Sequence, residues 1–124
     1  MTCDVPTIYL VDDDPAVRDS LRTLLEAFGM DVRDYSSAKA FLADPYRNKR
    51  GCLVLDLHMP EMSGLELLES LRAQGSSLPV IVFTDRGDAN LREHVERCGA
   101  VALLAKPMDT DLLLETIQRV ASVQ

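Results

Sequence analysis

The apolar positions of the chain follow two alternating rhythms. Compact apolar runs recur at TIYLV (7–11), GCLVLDL (51–57), LPVIVFT (78–84) and AVALLA (100–105). DVRDY (31–35) instead alternates apolar and polar, as a strand near a sheet edge does. Runs this short, bounded by turn residues, predict strands buried on both faces. Between them the spacing widens to three and four. Val17, Leu21, Leu24, Leu25 and Phe28 recur at helical intervals, and Gly29 supplies the stop. Ser36 or Ser37 is placed to cap a short helix through Phe41 and Leu42. LELLESLRAQG predicts a helix ending at Gly75, and residues 89–98 another ended by Gly99. Asp109 or Thr110 can cap the last helix, with Leu112, Leu113, Ile117 and Val120 on its inner face.

Five strands thus alternate with five helices, without internal repeat or interdomain linker. That predicts an α/β fold over residues 1–124: one domain, doubly wound, with a parallel sheet covered on both faces by right-handed crossovers. A chain of 124 residues, 47% hydrophobic and 27% charged, can bury such a core without staples. The net charge of −7 makes a duplex or an anionic membrane a poor partner, so direct nucleic-acid binding by this domain is not expected. No apolar run approaches the roughly 20 residues needed to cross a membrane, and MTCDVPT has no signal-peptide character. The cysteines are Cys3, Cys52 and Cys98. Their odd number and the lack of a CxxC pair argue against a disulfide framework or a zinc site, and fit reduced thiols in a cytoplasmic setting.

Parallel sheets of this kind carry their sites beyond the carboxyl ends of the strands. Asp12, Asp13 and Asp14 follow the first strand, and Asp56 the third; Thr84 closes the fourth and Lys106 the fifth. Carboxylates, a hydroxyl and an ammonium are therefore expected on one edge. Clustered carboxylates repel one another, and a hard divalent cation relieves the repulsion. Oxygen-only ligation favours Mg²⁺, which takes one or two carboxylates together with phosphate oxygens. A carboxylate can act as a nucleophile and form an acyl phosphate. A hydroxyl and an ammonium can hold the other phosphoryl oxygens as charge spreads. The set suits phosphoryl transfer onto Asp56. Asp14, just before Pro15, reads instead as the cap of the first helix.

These motifs resemble those of the receiver domain of two-component response regulators. The resemblance runs from IYLVDDDPAVRDSLRTLL through LVLDLHMPEMSGLELL and VIVFT to AKP. SSAKAFL and GDANLREHVERCGA look most like the FixJ-like branch of transcription regulators. The resemblance implies a flavodoxin-like (βα)5 fold with strand order 2-1-3-4-5. It implies Asp56 as phospho-acceptor, with Thr84 and Lys106 contacting the phosphoryl group. Mg²⁺ would be held by Asp13 directly, by Asp12 mainly through water, by Asp56 and by the backbone carbonyl of His58. Pro107 would follow Lys106 in a cis peptide that helps to aim the lysine. The implied partner is a sensor histidine kinase. A homodimer through the face of the fourth helix, fifth strand and fifth helix is implied as well. Any DNA-binding output domain lies outside this chain.

Two positions depart from the family pattern. Asp85 follows Thr84 where a small residue is usual. Either it adds repulsion toward an incoming phosphoryl dianion, or it turns into solvent as loop side chains commonly do. Leu103 stands where Tyr or Phe is usual and has no ring to swing inward when the threonine moves. Two other functions compete with the phosphorylated switch. One is an interaction module that works without phosphorylation, which Asp85 and Leu103 leave open. The other is a Mg²⁺-dependent phosphohydrolase with an aspartyl nucleophile. Asp12-x-Asp14 superficially fits it, but Pro15 follows at once and DLHMPEMSG would go unexplained.

Overall fold

The apolar runs form the inside of one sheet, and the alternating run forms its edge. The structure is a computed structural model describing residues 7–44, 51–59, 62–76, 78–84, 89–105 and 109–121. Its strands are β1 (Thr7–Val11), β2 (Asp31–Tyr35), β3 (Gly51–Asp56), β4 (Val80–Thr84) and β5 (Ala102–Ala105). The helices between and after them are α1 (Pro15–Ala27), α2 (Ala38–Ala43), α3 (Gly64–Ala73), α4 (Ala89–Arg97) and α5 (Thr110–Ala121). Every strand pair is parallel, and the order is β2-β1-β3-β4-β5. This is the expected flavodoxin-like fold. The chain leaves β1 for β2 on one side and returns to β3 on the other, so the switch in strand order lies between β1 and β3.

Because side chains alternate along a strand, the sheet separates two cores. Ile8, Leu10, Val54 and Phe83 face one cluster, with Leu25 of α1 and Ile117 of α5. Tyr9, Val11, Leu55 and Val82 face the other, with Phe41 of α2, Leu68 of α3 and Val95 of α4. In the second core the Phe41 ring meets Tyr9 and Tyr35 edge-on, at centroid separations of 5.6 and 5.3 Å. Tyr35 is tethered at its other end, where its hydroxyl donates to Asp44. Burial first, and then that hydrogen bond, push its phenol well above the ordinary value.

Several boundaries differ from the sequence expectation, each for a local reason. β4 begins at Val80, two residues late, because Pro79 has no N–H for the ladder and only its carbonyl bonds across, to Leu53 N–H at 2.9 Å. β5 begins at Ala102, not at residue 100, because the Ala100 N–H is still tied to the Val95 carbonyl at the end of α4. Ser37, not Ser36, caps α2 by accepting from Ala40 N–H at 3.0 Å. Asp109, not Thr110, caps α5 by accepting from Leu112 N–H at 3.2 Å. Leu112 itself is 44% exposed, and Leu114 takes its place on the inner face. Leu113 and Leu114 stand four and three residues before Ile117, whereas Leu112 stands five before it. Phe28 likewise is the exposed C-cap of α1 and not a core residue.

Arg72 was not singled out by any motif, yet it ties three segments together. Its guanidinium donates to the carbonyls of Ser76, Leu78, Cys98 and Gly99 at 2.9–3.2 Å. It thereby joins the end of α3 to the turns leading into β4 and β5.

Cys52 is fully buried on β3, and burial pushes its thiol up to about 12. A thiol reagent near neutral pH is therefore expected to leave Cys52 unmodified in the folded chain and to label it once denaturant is added. Native labelling of Cys52, located by peptide mass, would contradict this. The linkage has a definite sign. Between the ordinary thiol range and about 12 the unfolded chain sheds a proton that the native chain keeps, so this group's contribution to stability falls as pH rises.

Candidate functional site

The acidic loop is built by local hydrogen bonds as β1 ends. Asp12 is buried, and its N–H still bonds to the Tyr35 carbonyl of β2 at 3.2 Å. Its Oδ1 accepts from Asp14 N–H at 2.9 Å, which bends the chain sharply away from the sheet. Its carbonyl accepts from Arg18 Nη1 at 2.8 Å, and Arg18 pairs with Asp34 of β2 at 3.3 Å. That brace was not legible in the sequence, because it joins α1 to a strand the sheet brings alongside. Asp14 accepts from Ala16 N–H at 2.9 Å and caps α1 ahead of Pro15, as expected. Such a cap contributes about 1 kcal/mol. The three consecutive aspartates therefore divide: Asp12 buried, Asp13 exposed toward the loop, Asp14 spent on the helix.

Asp56 is the last residue of β3 and only 3% exposed. Its Oδ1 accepts from His58 N–H at 3.2 Å, while the His58 side chain is exposed. Past Asp56 the chain passes close under α3. Gly64 N–H bonds to the Leu57 carbonyl at 2.9 Å, and a Cβ on Gly64 would lie 2.4 Å from the Asp56 carbonyl oxygen. Only glycine lets the helix start so close to the strand end. A capping box fixes that start: Ser63 Oγ accepts from Glu66 N–H, and the Glu66 carboxylate accepts from Ser63 N–H. The S-x-x-E signature of this box, residues 63–66, was present in the sequence and would have located the start of α3.

The sheet brings the two halves together. Asp12, Asp13 and Asp56 each offer a carboxylate oxygen, and the three oxygens lie within 4.8 Å of one another. In the β3–β4 ladder Asp56 stands opposite Phe83, so Thr84 sits one residue farther along the neighbouring strand, fully buried. Leu103 of β5 stands opposite Val82 and packs into the core shared by α3 and α4. Lys106, Pro107 and Asp85 lie outside the described residues. The donor set is all oxygen and carries three formal negative charges, with a helix N-terminus beginning at Pro15 beside it. A small hard divalent cation suits such a set, and a soft thiophilic one does not.

The model of the response regulator receiver domain family matches residues 8–118. The transcriptional regulatory protein FixJ of Azorhizobium caulinodans is 42% identical over 111 residues, which cover 90% of this chain and 53% of that protein. The response regulator protein TodT of Pseudomonas putida (strain ATCC 700007, also designated F1) is 40% identical over 111 residues, covering 90% of this chain and 49% of that protein. The chain thus spans about half the length of these curated relatives. Among solved structures, the crystal structure of FixJ-N superposes with a TM-score of 0.87 at 38% identity, covering 97% of this chain and 96% of that one. The acids gathered at the β1/β3 switch point, the strand order and the matched relatives agree: this chain belongs to the response regulator receiver domain family.

Proposed function

We propose that the chain is a phosphorylation-driven switch that accepts a phosphoryl group on Asp56. The observation that carries this reading is the position of Asp56: buried at the end of β3, with oxygens of Asp12 and Asp13 close by and Thr84 on the adjoining strand. Receiver domains of response regulators interact with sensor histidine kinases, and a phosphohistidine of such a kinase is the proposed donor. An Asp56 carboxylate oxygen attacks phosphorus as the P–N bond to the donor imidazole breaks, leaving an acyl phosphate. The Thr84 hydroxyl and the Lys106 ammonium hold the phosphoryl oxygens during transfer. Receiver domains generally bind Mg²⁺ at an acidic pocket, and here Asp12, Asp13, Asp56 and the His58 carbonyl would hold it. When bound, the cation neutralises the carboxylates and the entering phosphoryl oxygens. Hydrolysis of the acyl phosphate by water resets the switch.

The readout is proposed to be transcriptional, through an output domain beyond this chain, in a cytoplasmic protein. A homodimer through the α4-β5-α5 face is proposed as well, a weak one because Leu103 has no ring to couple that face to Asp56. The test is incubation with acetyl phosphate and Mg²⁺, followed by intact-mass analysis. One phosphoryl group per chain, not formed when Mg²⁺ is chelated before acetyl phosphate is added, is the expected result. No labelling would favour an interaction module that works without phosphorylation, and multiple turnover of a generic phosphate ester would favour a phosphohydrolase.

Asp85 and Leu103 set two further expectations. Removing the carboxylate next to Thr84 lowers the repulsion met by a phosphoryl dianion. Asp85→Ala should therefore raise the labelling rate several-fold at fixed Mg²⁺, and an unchanged rate would discard the repulsion idea. Leu103 fills less volume than the usual aromatic residue, so coupling between Asp56 and the output face should be weak. Phosphorylated protein is expected to remain largely monomeric in sedimentation at micromolar concentration. Strong phosphorylation-driven dimerisation of the unsubstituted chain would count against this.

A further inference from the structure

A second group of metal-ligating side chains lies away from the acidic site, on the outer side of α3 and α4. Glu69 of α3, His94 of α4 and Cys98 just past the end of α4 each offer one donor atom, all within 4.8 Å of one another. Glu69 and His94 are exposed and Cys98 is half-buried. His94 Nε2 stands 3.8 Å from Glu69 Oε2. In a tetrahedral zinc site, bonds of about 2.0–2.3 Å place neighbouring ligand atoms roughly 3.3–3.8 Å apart. The three donors thus need only small rotations to close on one ion.

Two features hold the group in place. His94 and Cys98 are four residues apart, and Cys98 N–H bonds to the His94 carbonyl at 3.1 Å, so the helical path continues to the thiol. On the other side, Arg72 stands three residues after Glu69, and its guanidinium grips the carbonyls of Cys98 and Gly99 at 3.2 and 2.9 Å. The backbone carrying the thiol is therefore fastened to the helix carrying the carboxylate. The sequence argued against zinc on the absence of a CxxC pair. It could not show this group, because the third donor comes from another helix.

We propose that Glu69, His94 and Cys98 bind one zinc-type divalent ion, distinct from the Mg²⁺ expected at the aspartates, and clip α3 to α4. Sulfur and nitrogen donors suit zinc, whereas the all-oxygen aspartate set suits a harder ion. On binding, the Cys98 thiol loses its proton to solvent, and thiolate and carboxylate together neutralise the dication. Water completes the coordination on the exposed side. No oxidation or reduction is involved.

Cobalt(II) is the probe, added to the full chain under saturating Mg²⁺ with a non-chelating reductant. The expected result is a thiolate-to-cobalt charge-transfer band in the near ultraviolet, saturating at one ion per chain and bleached by zinc. Cys98→Ser should abolish the band. His94→Ala and Glu69→Gln should each weaken binding by about 10- to 100-fold or more, the scale on which even supporting residues of metal sites act. Zinc should raise the melting temperature of the parent chain by several degrees and leave that of Cys98→Ser unmoved. Acetyl phosphate labelling of the variants at the parent level shows that they are folded, and it separates this proposal from the phosphorylation reading. A band that is absent in the parent, survives in Cys98→Ser or saturates at half an ion per chain overturns the proposal.

Discussion

Asp56→Asn is expected to abolish labelling by acetyl phosphate while leaving the fold intact. An amide has the size and shape of the carboxylate but no nucleophilic anionic oxygen, so no acyl phosphate can form. The hydrogen bond from His58 N–H, 3.2 Å long in the parent, can pass to the amide oxygen, which keeps the turn after β3 in place. Asp56 is one of three carboxylates with oxygens within 4.8 Å, so removing its charge also relieves repulsion. The denaturation midpoint without Mg²⁺ should hold or rise. These paired outcomes separate loss of chemistry from loss of structure. Labelling that persists at the parent level would place the acceptor elsewhere, and Asp12 and Asp13 would then be the residues to replace.

The second large effect is expected from a single methyl group. In Gly64→Ala the new Cβ would lie 2.4 Å from the Asp56 carbonyl oxygen and 2.8 Å from Leu57 Cα. Both neighbours are backbone atoms, one in the last residue of β3 and one in the residue after it, so neither can swing aside as a side chain would. Alanine gains about 1 kcal/mol of helix propensity over glycine, but overpacking against fixed atoms costs about 1–3 kcal/mol. Because the contact is well inside van der Waals distance, sterics should win and the urea midpoint should fall. The strain is applied at the residue that carries the proposed acceptor. A displacement of about 1 Å there can cost on the order of 100-fold in rate, so labelling should slow by at least tenfold. Gly75→Ala is the control. Gly75 has φ of +79°, and a Cβ there meets nothing within 4 Å. Its cost is confined to backbone strain, and its labelling rate should match the parent's. If Gly64→Ala labels at the parent rate, the close approach of α3 to Asp56 has no part in positioning the acceptor.

Much of this molecule was legible in one dimension because its determinants are local. Strand and helix rhythms depend on the identity of near neighbours, and ten elements followed from them. The cap role of Asp14 needed only Pro15 beside it, and the edge position of β2 needed only its alternation. What failed was equally local in origin: Pro79 delayed β4, and Leu112 fell one step outside the apolar stripe that Leu114 joined. The acceptor set was expected on one sheet edge because parallel strands all end on the same side.

Tertiary structure decided what depends on distance between segments. The split between a buried Asp12 and an exposed Asp13 needed the packing around β1, which two identical neighbours in a sequence cannot express. Arg18 reaching across to Asp34, Arg72 gripping four carbonyls and Gly64 pressed against Asp56 are contacts between elements far apart in the chain or turned toward each other only by the sheet. The same holds for Glu69 beside His94 and Cys98. A one-dimensional pattern records which side chains a local helix or strand presents. Which of them meet is set by the register of the sheet and the packing of helices on it.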